Sequence, residues 1–306
     1  MNPLKRWLLL AAVVFVGTLT APAQEKAPPR KASPIPEGTK VLKDIAYGPH
    51  ERNKLDLYLP PADGPLPLVV WVHGGGWEKG SKDGAGPSLD LLRQGYAVAS
   101  INYRLSPQAV FPAQIVDCKA AIRHLRSVAA EYHLDTDHVG VWGASAGGHL
   151  VALLGTTGDA DFADGSGDKK YSSTVQAVCD WFGPADFLHW GQYDLSHPGD
   201  GRPNPITRLL GGLVVDKQEL AKQASPVAHV SKSCAPFFIA HGDHDPLVPL
   251  QQSESLNEAL KKAGVEATLV VVKGAGHGGP GFAARDLFGR EEAFFAKHLK
   301  PKAAAK

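Results

Sequence analysis

The pentapeptide Gly143-Ala144-Ser145-Ala146-Gly147 sets one hydroxyl among small residues. It follows an apolar run, residues 139–142, and precedes a stretch suited to a helix, residues 149–154. A serine on a sharp strand-to-helix turn needs small neighbours, because the strained backbone draws the flanking residues into close approach. Serine in that setting is a nucleophile for acyl transfer, provided that a base takes its proton and an acid orients the base. On such a turn the acid and then the base follow the nucleophile in chain order, each in a loop after a later strand. Two segments meet that condition: His241-Gly242-Asp243-His244-Asp245-Pro246 after the apolar run 236–240, and Gly274-Ala275-Gly276-His277-Gly278 after the run 268–272. Asp245 as acid and His277 as base are therefore the expected partners of Ser145. Asp243 is the rival carboxylate, able instead to cap its own turn through backbone bonds.

Attack on an acyl carbon generates an oxyanion, which preorganised N–H donors stabilise. His73-Gly74-Gly75-Gly76-Trp77 follows the apolar run 68–72, and its glycines let N–H groups turn toward a ligand without interference from Cβ. Gly75 and Gly76, with Ala146 after the nucleophile, are the expected donors. A phosphate loop is the competing reading of the glycine run, but no Lys-Ser or Lys-Thr pair follows it. His241, Asp243, His244 and Asp245 resemble a metal site in composition only. Alternate residues of one short loop seldom converge on an ion, so neither metal nor cofactor is expected. Of the 13 histidines, His73 and His149 are expected to orient local backbone, and His124, His133, His138 and His298 to lie at the surface. Trp77, Tyr103, Trp181, Phe182 and Trp190 fall in segments expected to border a substrate pocket, with ordinary core packing as the competing role.

The elements that must hold these residues are visible as short apolar runs. Leu55, Leu57 and Leu59 alternate with polar positions as in a half-exposed strand. Continuous runs at 68–72, 97–101, 139–142, 175–182, 236–240 and 268–272 suit strands buried on both faces. Helical periodicity spans 112–132, 250–263 and 282–299. Strands alternating with helices predict an α/β fold, a doubly wound and mostly parallel sheet. Residues 186–233 break the alternation and are expected to form a small cap-like insertion over the strand ends, where open α/β sheets hold ligands.

The chain has 306 residues, 43% apolar and 21% charged, with 32 Lys plus Arg against 31 Asp plus Glu. One domain, residues 38–300, is expected, and the balanced charge gives no field to attract nucleic acid. Lys5 and Arg6 before an apolar run at 7–16, then Ala21-Pro22-Ala23, read as a signal peptide over 1–23 and predict a secreted or periplasmic protein. The apolar run is too short for a spanning helix, so no stable membrane insertion is expected after processing. Residues 24–37 read as a flexible leader and 301–306 as a tail. Cys118, Cys179 and Cys234 are an odd number and are expected to be free.

From about Val41 to Leu299 the sequence resembles the secreted bacterial esterases of the α/β-hydrolase superfamily that are similar to feruloyl and acetyl esterases, near the hormone-sensitive-lipase branch. The resemblance is carried by His73 to Trp77, Ile101-Asn102-Tyr103-Arg104-Leu105 through Phe111-Pro112-Ala113-Gln114, Gly143 to Gly148, and His241 to Pro249. It implies an α/β-hydrolase fold, Ser145 as nucleophile, Asp245 as acid, His277 as base, and oxyanion donors from the glycine run and Ala146. It also implies a carboxylesterase acting on short acyl or aryl esters, free or carbohydrate-linked. The same triad cleaves amides, so an amidase, formamidase or small serine peptidase is a second reading. A non-catalytic binding protein on the same fold is a third.

Overall fold

The computed structural model describes residues 34–162, 168–190 and 204–300. The expected signal peptide, most of the leader and the tail lie outside the described residues, as does part of the insertion.

Among the described residues eight strands form one sheet: β1 (Lys40–Ala46), β2 (Lys54–Leu59), β3 (Leu66–Val72), β4 (Ala97–Ile101), β5 (Leu134–Ala144), β6 (Ala177–Trp181), β7 (Phe237–Gly242) and β8 (Ala267–Val272). Their order is β1-β2-β4-β3-β5-β6-β7-β8. The β1–β2 and β2–β4 pairs are antiparallel and the other five are parallel. Among the described residues there are seven α-helices: α1 (Ala113–Ser127), α2 (Ala129–Tyr132), α3 (Ala146–Thr157), α4 (Pro205–Leu210), α5 (Gln218–Gln223), α6 (Leu250–Lys262) and α7 (Arg285–Leu299). A 3-10 segment, Gly86–Gln94, leads into β4.

The pleat sends alternate residues to opposite faces and so builds two cores. Leu68, Val70 and Val72 join one cluster with Ile115 and Ile122 of α1, Leu150 and Leu153 of α3, and Leu256 of α6. Val69 and Trp71 join the other with Leu91 of the 3-10 segment and Phe294 and Phe295 of α7. The expected doubly wound, mostly parallel sheet is what these layers form.

Three expectations need correction. The alternation at residues 55–59 suggests a half-exposed strand, but β2 lies between β1 and β4 with Tyr58 and Asp56 buried as well as Leu55 and Leu57, Asp56 being paired with Lys43 and Lys82. Residues 268–272 suggest a strand buried on both faces, but β8 pairs only with β7, ends the sheet and is half-exposed. The opposite edge, β1, was not expected, because its core-facing Leu42 and Ile45 are interrupted by a bulge and only partly buried. All three cysteines are free, with Cys118 and Cys179 buried. Among the described residues no helix is long and apolar enough to cross a membrane.

Candidate active site

Ser145 caps α3 at the C-terminal end of β5, with φ 57° and ψ −121°. A non-glycine residue at positive φ is strained and persists only where its surroundings over-determine it. Here Ser145 N donates to Trp181 O across the sheet at 2.8 Å, and Ser145 O accepts the first helical bond from His149 N at 2.9 Å. The flanking glycines are steric necessities. A Cβ on Gly147 would stand 2.1 Å from Val72 O, and one on Gly143 would stand 2.4 Å from Gly147 O.

Asp245 and His277 come from the loops after β7 and β8. His277 Nδ1 lies 2.7 Å from Asp245 Oδ2, and its Nε2 lies 2.8 Å from Ser145 Oγ. An ionised carboxylate only accepts, so Nδ1 carries the ring proton and Nε2 offers its lone pair to the serine hydroxyl. Asp245 has no exposed side-chain surface. Burial alone would push its carboxyl up, but hydrogen bonds from His241, His277 and the N–H groups of Val248 and Leu247 outweigh it and hold the group well below the usual carboxylate range. Asp243 faces elsewhere. Its Oδ1 accepts from Gly274 N at 2.6 Å and so ties the loop after β7 to the loop after β8.

Three residues outside the trio hold the surrounding loops. His149 is fully buried; its Nε2 donates to Ala224 O at 2.6 Å, leaving Nδ1 to accept from Trp77 Nε1 at 3.1 Å. Burial lowers His149 to about 4, which keeps the ring neutral. His73 is likewise lowered to about 4 by burial, and its Nδ1 stands 2.7 Å from Gly74 O. Both histidines orient backbone, as the sequence suggested. His241 was not singled out as a support. It is buried between Ser253 Oγ at 2.7 Å and Val248 O at 2.9 Å, with Nε2 also 3.3 Å from Asp245 Oδ2.

Gly74, Gly75, Gly76, Ser145 and His277 open onto a cavity of about 520 Å³ whose walls include Trp77, Phe182, Trp190, Ile206 and Leu247. Two expected pocket residues lie elsewhere. Tyr103 is fully buried, stacked on His73 at 4.3 Å, with its hydroxyl donating to His73 O. Trp181 belongs to the far core, 5.3 Å from Trp142, and its Nε1 donates to Glu291 Oε1 at 2.5 Å. The strand's alternation sends Trp181 to one face and leaves Phe182, just past the strand end, to reach His277 at 4.6 Å. Leu247 and Val248 also line the cavity and were missed although they directly follow the segment from His241 to Pro246. Pro205 and Ile206 of α4 belong to the insertion expected over the strand ends but are not distinguished within it by the sequence; Pro205 packs against Gly76 and Ile206 lines the cavity. Ala146 is fully buried as the first residue of α3, behind Ser145. Among the described residues no group of three or more His, Cys, Asp or Glu is placed to hold a metal ion. The loop residues diverge, with His241 inward and His244 out beside Asp243.

Comparison with known proteins agrees with this architecture. Esterase LipQ of Mycobacterium tuberculosis is 35% identical over 231 residues, covering 72% of this chain and 53% of that protein. A probable isoprenylcysteine alpha-carbonyl methylesterase of Arabidopsis thaliana, ICMEL1, is 30% identical over 254 residues, covering 78% of this chain and 51% of that protein. The chain spans about half the length of these two curated relatives. Among solved structures, a truncated form of a carbohydrate esterase from gut microbiota matches with a TM-score of 0.77 at 33% identity, covering 90% of this chain and 100% of that one. The butyrate-bound esterase Est2 of Thermogutta terrifontis matches with a TM-score of 0.70 at 28% identity, covering 87% and 97%. The BD-FAE family model matches residues 55–260, from β2 through most of α6 and including Ser145 and Asp245. With that match spanning more than half of the sequence on an α/β-hydrolase fold, the chain belongs to the BD-FAE family.

Proposed function

We propose that the protein is a serine carboxylesterase that hydrolyses esters of short acyl or small aryl acids through Ser145, His277 and Asp245. The observation that carries this reading is the continuous hydrogen-bonded path from Asp245 Oδ2 through His277 to Ser145 Oγ, at 2.7 and 2.8 Å, on the rim of an apolar cavity. In the first step Ser145 Oγ attacks the ester carbon and its proton passes to His277 Nε2. Asp245 keeps the imidazole in the required tautomer and stabilises the imidazolium. The N–H groups of Gly75, Gly76 and Ala146 receive the developing oxyanion, each donor giving about 10²- to 10³-fold in rate. The alcohol leaves with the proton from His277, and water then repeats the sequence on the acyl-enzyme.

The walls of the cavity are aromatic and aliphatic, which favours an apolar acyl group of limited length. The names of the matched neighbours, a carbohydrate esterase and a butyrate-bound esterase, support short acyl esters, including carbohydrate-linked ones, as the substrate class. The signal-like pattern of residues 1–23 supports action outside the cytoplasm. The test is hydrolysis of p-nitrophenyl esters of rising length beside methyl ferulate, acetylated xylan and an anilide. Turnover of the short esters well above the anilide is the expected result. An anilide cleaved faster than every ester would contradict the reading and favour an amidase.

A further inference from the structure

We infer that Arg52, on the turn between β1 and β2, is a positioning residue for the oxyanion donors, acting through His73 on the Gly74–Gly75 peptide. The inference rests on the esterase reading above. Arg52 lies outside the cavity, yet its guanidinium joins four groups around the glycine run. Nε donates to Tyr103 O at 2.7 Å, and Nη2 donates to Gly80 O at 2.9 Å and to Asn102 Oδ1 at 3.3 Å. Nη2 also stands 3.3 Å from His73 Nε2.

A guanidinium has donors and no acceptor, so His73 Nε2 receives that contact and the ring proton resides on Nδ1. Nδ1–H then donates to Gly74 O at 2.7 Å. The peptide between Gly74 and Gly75 is planar and trans, so fixing its carbonyl on one side aims the Gly75 N–H the opposite way. Gly75 lines the cavity beside Ser145. Gly80 closes the arrangement from above. A Cβ there would lie 2.5 Å from His73 Nδ1 and 2.6 Å from Gly74 O, so only glycine fits, and Arg52 holds its carbonyl. The next peptide is fixed independently, because Gly75 O accepts from Glu78 N at 3.1 Å and Lys79 N at 3.2 Å. Arg52 therefore bears on one donor of the set.

The experiment compares p-nitrophenyl butyrate kinetics and thermal midpoints of the wild type, Arg52→Ala and Arg52→Lys. Arg52→Ala leaves the Gly75 N–H in place but loosens its aim, so only part of the ~10²- to 10³-fold that a donor gives is lost and kcat falls by about 10- to 100-fold, while KM, set by the cavity walls, stays within about twofold. Sub-denaturing guanidinium chloride restores part of the kcat of Arg52→Ala and leaves that of the wild type unchanged. Arg52→Lys, which keeps the charge but cannot span the same acceptors, falls between the two. A kcat of Arg52→Ala within twofold of the wild type overturns the inference. So does a loss that tracks a fall in thermal midpoint, with no guanidinium rescue and no advantage for Arg52→Lys. If Arg52→Ala fails to fold, Arg52→Lys decides alone: full activity overturns the inference, and lowered kcat at unchanged KM and midpoint supports it. A wild type that turns over no ester is a different failure, that of the esterase reading itself.

Discussion

A carboxylate with no exposed surface stays ionised only if its oxygens are saturated with donors, and Asp245 meets that condition with His277, His241 and two backbone N–H groups. Asp245→Asn presents an amide where the imidazole N–H needs an acceptor and turns the ring to the wrong tautomer. It should lower kcat by about 10³- to 10⁴-fold. Asp243→Asn, which loosens links to Gly274, His244 and Lys273 but touches neither His277 nor Ser145, should stay within about tenfold. Steady-state kinetics of the two variants checks this, and reversed sensitivities would move the acid to Asp243. The same bonds make a statement about stability. Because the folded carboxyl is held below its unfolded value of ~3.9, its contribution is present above that pH and is lost as the pH falls further. The trio was legible in the sequence because each member follows an apolar run within a glycine- or proline-marked loop. His241 was not singled out as a support, because a buried histidine at a strand end has no pattern of its own; its bond to Ser253 exists only once α6 has packed against β7.

At the scale of elements, His149 and His73 lock the glycine run to α3, α5 and the β1–β2 turn, and both do so as neutral rings. Burial lowers each to about 4 from an unfolded value of ~6.5. The unfolded chain therefore binds more protons between these values, and stability is lost as the pH falls from about 6.5 to 4, on the order of 3 kcal/mol per histidine. Asp180 opposes this. Burial raises it to about 7, so it favours the folded state increasingly as the pH falls through the same window. We expect denaturant unfolding across that window to show a shallower acid loss in His149→Gln than in the wild type, and a steeper one in Asp180→Asn. Unchanged slopes in both would mean that these groups do not titrate as their burial dictates. Element by element, the sequence was most informative where periodicity and length agreed. The periodic stretches 250–263 and 282–299 appear as α6 and α7. Short helices such as α5, at six residues, carry too few turns for an apolar stripe. The misplacement of Trp181 has a similar origin, since an apolar run does not reveal which of its faces meets the cavity.

Across the whole molecule, the sheet delivers the segments that follow β3, β5, β6, β7 and β8 to one end of the strands, and α4 lies over the cavity they surround. The wall formed by Trp77, Phe182, Trp190 and Ile206 predicts a specificity profile that peaks at acetyl to butyryl esters. Each methylene that fits gains up to ~1 kcal/mol, and one that meets packed side chains costs about 1 to 3 kcal/mol. The profile of kcat/KM against acyl length, at constant detergent, should rise and then fall steeply. A maximum at dodecanoate or longer would make the cavity wall yielding and the enzyme a lipase.

Central to all of this is that Ser145 becomes acylated. Intact-mass and peptide mapping after reaction with a fluorophosphonate, run beside p-nitrophenyl butyrate turnover, addresses that point directly. The wild type should take up one label per chain on the peptide containing Ser145 and lose activity in proportion. Ser145→Ala should take up none and lose turnover by orders of magnitude while keeping the wild-type thermal midpoint. Labelling at another residue, or turnover by Ser145→Ala within tenfold of the wild type, would contradict the assignment of the nucleophile and with it the mechanism.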